Sequence, residues 1–124
     1  MNRTVETAEL YRSWPAQAAH DLEEIRLGIL EKDFCRLGEA AEQNALAMHA
    51  TMISSRPSVI YWTPQTLNLI KGIHNLRKEG LAVYFTIDAG PNVKILYQKS
   101  DQTEIKKVFP EQLEADPFLV SCSA

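Results

Sequence analysis

The sequence is poor in the features that mark several large classes of protein. It contains 5 glycines in 124 residues, all scattered, so it has no glycine-rich loop of the kind that cradles phosphate groups. Its 2 cysteines, Cys35 and Cys122, form no CxxC pair and have no histidine at metal-ligand spacing, which predicts reduced thiols and no metal site. The histidines His20, His49 and His74 are equally isolated, and each is interpreted as a helix-surface residue or a satisfied interior residue.

A strong charge of one sign and long apolar runs are also lacking. The formal net charge is -3, and the basic residues form only doublets such as Arg77-Lys78, which argues against a general electrostatic grip on nucleic acid. No apolar run approaches the roughly 20 residues that span a bilayer, and the first ten residues lack the basic-then-apolar pattern of a signal peptide. The sequence therefore predicts no nucleic acid and no membrane among its partners, and a cytoplasmic location.

The sequence has enough apolar residues to build one core. Hydrophobic residues make up 45% and charged residues 23% of the chain, which is far from the polar, highly charged composition of disordered proteins. A chain of this length should bury roughly two-thirds of its unfolded surface. We therefore expect residues 1–124 to form a single domain.

Three helices are predicted in the first part of the chain. Between Thr7 and Lys32 apolar residues recur every three or four positions, which places them on one face of a helix. These positions are Leu10, Trp14, Ala18, Leu22, Ile25 and Ile29. Pro15 predicts either a kink or a helix that starts near it. Asp33 is a predicted N-cap for a second helix, which should stop before Pro57, and Thr63-Pro64 predicts the start of a third.

The rest of the chain predicts a small antiparallel sheet. Gly80 should end the third helix in a left-handed conformation. The strands Leu81–Asp88 and Val93–Tyr97 follow, and their short connection makes them antiparallel neighbours. A fourth, short helix opens near Asp101, where an acid three residues later predicts a capping box. Phe118–Cys122 is predicted to be a last strand.

The order of these elements predicts an α+β fold. Helices followed by strand, strand, helix and strand match a ferredoxin-like βαββαβ arrangement that lacks its opening strand. In such a fold the helices pack on one face of a small antiparallel sheet. Three strands leave an exposed edge, so we expect a preceding segment or a partner to complete the sheet.

The candidate site lies at the end of the first strand. Alternation of side chains places Val83, Phe85 and Ile87 on the core face, and Ala82, Tyr84, Thr86 and Asp88 on a more polar face. Gly90 allows unusual backbone angles or close approach of a ligand, and Pro91 restricts the residue before it, so the Asp88 carboxylate should be held still. An aspartate before such a turn also commonly caps it, and the residues alone leave both interpretations open.

The same stretch resembles a known family. YFTIDAGPNVKIL (residues 84–96) is similar to the FTxDAGPN segment of diphosphomevalonate decarboxylases, members of the GHMP kinase superfamily that make isopentenyl diphosphate from mevalonate diphosphate and ATP. Three further stretches, RTVETAELYRSW, EKDFCRLGEAAEQNALAMHATM and PSVIYWTPQTLNLI, resemble the segment after the family's serine-rich substrate loop, its long central helix, and the link and helix that follow. The resemblance runs in the same order from Met1 to about Leu96.

This resemblance implies a reaction and a set of site residues. In the family, ATP phosphorylates the tertiary C3 hydroxyl of the substrate, the phosphate leaves, and the carboxylate is lost as carbon dioxide. Asp88 matches the family aspartate beside that hydroxyl, which acts as a general base or orients the hydroxyl for attack. Ala89 and Gly90 would shape the substrate pocket. Met1 matches an internal methionine just after the substrate loop and is taken as a further substrate-binding position.

The resemblance also implies parts that this sequence lacks. The ATP loop, the arginine that grips the substrate carboxylate and the lysine near the diphosphate lie in the amino-terminal portion of family members. The chain is therefore expected to be the carboxyl-terminal domain of such an enzyme, without the amino-terminal ATP-binding domain. ATP and Mg2+ are expected in the complete enzyme, and neither is expected to bind this chain alone. The expected partners are mevalonate diphosphate, the missing amino-terminal domain or chain, and a second copy in a homodimer.

Two alternatives accompany this interpretation. The first is a non-catalytic remnant that uses its sheet edge and apolar helix faces as a binding or oligomerisation module. The second is a kinase of the same superfamily that phosphorylates without decarboxylation, and the FTIDAGPN segment argues against it.

Overall fold

The computed structural model describes residues 13–90 and 92–110, and these residues form four helices and two strands. The helices are α1 (Trp14–Leu30), α2 (Phe34–Ile53), α3 (Pro64–Lys78) and α4 (Gln102–Val108), the last after a short 3-10 turn at Lys99–Asp101. The strands are β1 (Val83–Ile87) and β2 (Val93–Tyr97). The predicted α+β fold class is confirmed. The strand predicted at Phe118–Cys122 lies outside the described residues.

Local signals mark the starts of the first three helices, as the sequence predicted: a proline for α1 and side-chain caps for α2 and α3. Pro15 lies in the first turn of α1, which confirms the alternative of a helix that starts near Pro15. The Asp33 carboxylate accepts a hydrogen bond of 3.1 Å from the backbone N–H three residues later. At the start of α3, Thr63 and Thr66 each accept a hydrogen bond from the backbone N–H of the other. Gly80 follows the end of α3 with φ of 101°, a left-handed conformation.

The capping box predicted at the start of α4 is wrong. The Asp101 side chain makes no capping hydrogen bond. The chain instead enters α4 through the 3-10 turn, in which the Asp101 N–H donates to the carbonyl of Gln98 at 2.9 Å. Glu104 pairs with Lys107 at 3.4 Å, one turn further along the helix. The Gln98 carbonyl therefore accepts the Asp101 N–H that the Glu104 side chain was expected to accept in a capping box.

The predicted apolar stripe of α1 is only partly buried, since Trp14, Ala18 and Ile25 are half-buried whereas its other two described members are exposed. Leu22 and Ile29, two members of that stripe, are 68% and 46% exposed. The buried residues of α1 are Asp21 and Gly28. A Cβ atom at Gly28 would lie 2.8 Å from the backbone nitrogen of Leu37, so a glycine lets the two helices approach closely. Close backbone packing therefore decides which way α1 faces.

The hydrophobic core lies between β1 and the helices α3 and α4. The two strands pair antiparallel, with Val83 opposite Tyr97 and Ile87 opposite Val93. The predicted core face of β1 is confirmed, since Val83, Phe85 and Ile87 are all at most 2% exposed. They pack against apolar side chains of α3, of α4 and of the residue after it: Ile70, Ile73, Leu76, Ile105 and Phe109. No helix in the described part of the chain combines the length and apolar character needed to cross a membrane.

Helix α2 lies directly against β1 at Tyr84. A Cβ atom at Gly38 would overlap the Tyr84 ring, three of whose atoms would lie 2.8 Å or less from it. The ring packs edge-on against Phe34, with 5.8 Å between centroids, and the Arg77 guanidinium lies 5.0 Å from its centroid. Tyr84 is only 6% exposed, although it was placed on the more polar face of the strand. It is buried because α2 covers it.

Candidate active site

Asp88 lies one residue beyond β1, where the chain turns towards β2. Its carbonyl oxygen accepts the Gly90 N–H at 2.7 Å, which closes a three-residue turn. The same oxygen lies 2.8 Å from Nε2 of His49 on α2. The carboxylate is 78% exposed. The main chain of Asp88 is thus held at its carbonyl, while its carboxylate projects into solvent.

The described partner of the Asp88 carboxylate is Lys94 of β2. The Lys94 Nζ donates to Asp88 Oδ2 at 2.7 Å, and the lysine side chain is 61% exposed. Lys94 pairs with Thr86 across the strands, so it lies on the same face as Asp88 and diagonal to it. An ion pair this exposed contributes little to stability. Within the described residues the carboxylate does not cap the turn, which is closed by the Asp88 carbonyl instead.

His49 is a buried residue that the sequence did not connect with Asp88. It is 1% exposed, and it was expected to be either a surface residue or a satisfied interior one. The interior alternative is confirmed. His49 lies four residues after Ala45 and three before Met52, both buried in the same stripe of α2. Its ring packs against Tyr61 and Trp62, with centroid distances of 6.4 and 5.3 Å. The spacing of four residues from Ala45 and three from Met52 was the sequence signal that could have placed His49 in the interior.

The other predicted site residues lie beside Asp88 or outside the described part of the chain. Ala89 is exposed and Gly90 is half-buried. A Cβ atom added to Gly90 would meet no atom of the described residues within 4 Å, apart from its chain neighbours. The φ of Gly90 lies outside the left-handed region, so the turn itself does not demand a glycine. The described residues therefore leave the position beside Gly90 open. Met1 lies outside the described residues.

The remaining glycines have structural roles rather than phosphate-binding geometry. Gly28 and Gly38 allow close packing of α1 on α2 and of α2 on β1, and a Cβ atom added to Gly72 would lie 3.2 Å from the Phe109 ring. Gly80 terminates α3. Residues 13–90 and 92–110 also contain no group of three or more His, Cys, Asp or Glu residues that could hold a metal ion. Within the described residues the glycines therefore serve packing and chain turns.

Comparison with known proteins identifies the family. Residues 1–119 match the family model of the mevalonate 5-diphosphate decarboxylase C-terminal domain. The solved mevalonate diphosphate decarboxylase of Enterococcus faecalis, described with a mechanism of ATP binding mediated by mevalonate diphosphate, is 39% identical with a TM-score of 0.84. That match covers 91% of this chain and 35% of the solved one.

Two further relatives agree with this match. A solved decarboxylase in complex with mevalonate diphosphate, the ATP analogue AMPPCP and magnesium is 39% identical, with a TM-score of 0.83, over 90% of this chain and 34% of that one. The diphosphomevalonate decarboxylase of Debaryomyces hansenii is 30% identical over 109 residues, which cover 85% of this chain and 28% of that protein. The chain spans about a third of the length of these relatives. It belongs to the mevalonate 5-diphosphate decarboxylase C-terminal domain family.

Proposed function

We propose that this chain is the carboxyl-terminal part of an ATP-dependent diphosphomevalonate decarboxylase, an enzyme of the mevalonate pathway of isoprenoid biosynthesis. In this proposal Asp88 is its catalytic residue, and the substrate is mevalonate diphosphate. One observation carries the proposal. A chain of this family presents an exposed carboxylate whose main chain is fixed at the end of a buried strand. Exposure makes the carboxylate accessible to a ligand, and the fixed main chain limits its movement.

The Asp88 carboxylate can act on the C3 hydroxyl of the substrate in two related ways. It accepts a hydrogen bond from the hydroxyl and so orients the oxygen for attack on the transferred phosphoryl group. It can also take the hydroxyl proton onto a carboxylate oxygen as the new bond forms, which is general base catalysis. The negative charge further favours the positive charge that develops at C3. An amide oxygen could accept the hydrogen bond, but taking the proton and favouring the positive charge both need a carboxylate.

Lys94 does not prevent this chemistry. It contacts Oδ2 of Asp88, and a carboxylate has two oxygens with about four lone-pair positions between them. The hydroxyl can therefore bind at Oδ1 while the ion pair persists. Lys94 then restricts rotation of the carboxylate on the side facing β2. The open space at Gly90 is where we place the substrate.

The proposal assigns ATP and Mg2+ to the rest of the enzyme. The related decarboxylase complex contains mevalonate diphosphate, AMPPCP and magnesium, and this chain spans 34% of the length of that protein. The glycines of this chain are used in packing and in turns, which is consistent with a nucleotide site on other residues. The partner of this chain is then an amino-terminal domain, either in the same protein or as a separate chain. A homodimer and a cytoplasmic location remain part of the proposal.

The test is ATP-dependent release of carbon dioxide from mevalonate diphosphate. This chain would be mixed with a separately produced amino-terminal portion of the enzyme, and each part would also be assayed alone. We expect release from the mixture, and a fall in kcat of at least about 100-fold for Asp88→Asn, since general base catalysis typically supplies that much. Asp101→Asn is the matched control. It makes the same change at an aspartate without a capping role, and it should leave kcat unaltered.

Two results would contradict the proposal. The first is undiminished kcat in a folded Asp88→Asn variant, which would remove Asp88 from the catalytic machinery. The second is association of the two parts without any carbon dioxide release. That outcome would favour the alternative of a non-catalytic binding or oligomerisation module.

A further inference from the structure

We infer that His49 is a positioning residue, which holds the end of β1 so that the Asp88 carboxylate stays in one place. The inference rests on the proposed function of Asp88. Asp88 and His49 are 39 residues apart in sequence and meet only in the folded chain. The contact is made to the main chain of Asp88, not to its side chain. His49 thus acts on the reaction through the geometry of Asp88.

The chemistry of the contact determines its direction. A carbonyl oxygen can only accept, so His49 donates its Nε2–H to Asp88 over 2.8 Å. The Gly90 N–H donates to the same oxygen over 2.7 Å. A carbonyl oxygen has two lone pairs, so these two donors fill its capacity. One donor belongs to the turn itself and the other to α2, so the histidine ties the turn to a helix.

The histidine ring is itself held in place. It is 1% exposed and flanked by the rings of Tyr61 and Trp62. Helix α2 is brought against β1 by the close approach of Gly38 to Tyr84, three turns before His49 on the same helix. A donor mounted on such a rigid support can fix the position of its acceptor.

Burial of a polar ring at this position requires an explanation. Burying a polar group has an energetic cost unless the group is hydrogen-bonded, and an apolar residue would fill the same place in the stripe without that cost. The neighbouring positions of the stripe carry Ala45 and Met52, which need no partner. Among the described residues, the hydrogen bond to Asp88 is the feature of His49 that an apolar residue could not supply. A misplacement of a catalytic group by about 1 Å can lower the rate by about 100-fold, which is sufficient reason to keep the bond.

The experiment compares variants that keep or remove the donor. His49→Gln can place an amide N–H close to the position of Nε2, whereas His49→Leu has no donor and His49→Asn is too short to reach. Met52→Leu is the control for altered packing in the same stripe of α2. Each variant chain would be mixed with the amino-terminal portion and assayed for kcat and KM. The hydrogen exchange rate of the Gly90 amide would be measured by NMR on each chain alone.

We expect His49→Leu and His49→Asn to lower kcat by about 100-fold, with a smaller change in KM, because the misplaced group acts in the reaction rather than in binding. The Gly90 amide should exchange roughly tenfold faster in both, since the turn loses one of its anchors. His49→Gln should keep most of the native kcat and most of the native slow exchange at Gly90. Met52→Leu should change neither quantity. If His49→Leu does not fold, the comparison of Gln with Asn decides the question.

Two outcomes would overturn the inference. One is that the folded variants without a donor match the native chain in kcat and in Gly90 exchange. The other is that His49→Gln and His49→Asn lower kcat equally, which would show that loss of the hydrogen bond is not the cause of the decrease. If the native mixture releases no carbon dioxide, the proposed function fails instead. The Gly90 exchange rates then decide by themselves whether His49 holds the turn.

Discussion

A single added methyl group at Gly38 should weaken the fold where α2 lies against β1. Alanine is favoured over glycine within a helix by about 1 kcal/mol, so Gly38→Ala would stabilise an unobstructed helix. Here the new Cβ would overlap the Tyr84 ring, with three ring atoms 2.8 Å or less away. Phe34 and Arg77 pack on that ring, and it is 6% exposed, so it cannot swing aside.

The expected magnitude follows from these two opposing effects. Overpacking a core typically costs about 1–3 kcal/mol of stability. Because the new Cβ overlaps three ring atoms, we expect a cost of about 3 kcal/mol at this site. Subtracting the gain in helix propensity leaves a net loss of about 2 kcal/mol. For a domain of this size, that loss corresponds to a decrease in Tm of about 8 °C. Urea denaturation followed by circular dichroism would measure the loss as a lower midpoint with an unchanged slope.

Two matched variants make this prediction specific. Gly72→Ala makes the same change within α3, where the new Cβ would lie 3.2 Å from the Phe109 ring, and it should stay within about 0.5 kcal/mol of the native chain. In a Tyr84→Leu background the overlap is relieved, so Gly38→Ala should become stabilising by about 0.5 kcal/mol or more. An equal loss in both backgrounds, or a gain in the native background, would refute the reasoning.

Two further predictions concern buried charges. Arg77→Met leaves the Glu42 carboxylate, which is 6% exposed, without its cation. The free energy of unfolding should fall by about 2–3 kcal/mol, less than for a fully buried pair because Arg77 is 25% exposed. The double variant Glu42→Leu/Arg77→Met should recover most of that loss in urea denaturation, and equal losses would contradict the explanation. Burial raises the pKa of Asp21 above its ordinary 3.8, so the folded chain binds this proton more tightly than the unfolded chain does. Stability should therefore fall as the pH rises above 3.8, and Asp21→Asn should flatten that decline; an unchanged decline in the variant would show that this carboxyl is not responsible.

The elements of the fold could be predicted because they depend on neighbours in the sequence. The Asp33 cap and the Thr63 and Thr66 capping box each join residues three positions apart. The left-handed Gly80 depends on the properties of that single residue. The core face of β1 follows from the alternation of side chains. The wrong capping box at Asp101 shows the limit of such local rules, since the Asp101 N–H donates to the Gln98 carbonyl in a 3-10 turn and not to a side chain.

The candidate site could be predicted only in part. The motif around Asp88 and its resemblance to a family identified Asp88 as the candidate catalytic residue. The surroundings of Asp88 depend on two other elements, because His49 comes from α2 and Lys94 from β2. A pattern of residues does not specify which side chain of a helix reaches a turn 39 residues later.

The sequence by itself determined the order of the described helices and strands and which face of β1 enters the core, and its resemblance to a family pointed to Asp88 as the candidate for catalysis. The tertiary structure alone decided that Leu22 faces outward, that Tyr84 is buried beneath α2, and that His49 donates to the Asp88 carbonyl. The physical reason is the range of the interactions involved. Caps, turns and alternation act within a few residues, whereas burial and long-range hydrogen bonds depend on how closely two helices, or a helix and a strand, can approach.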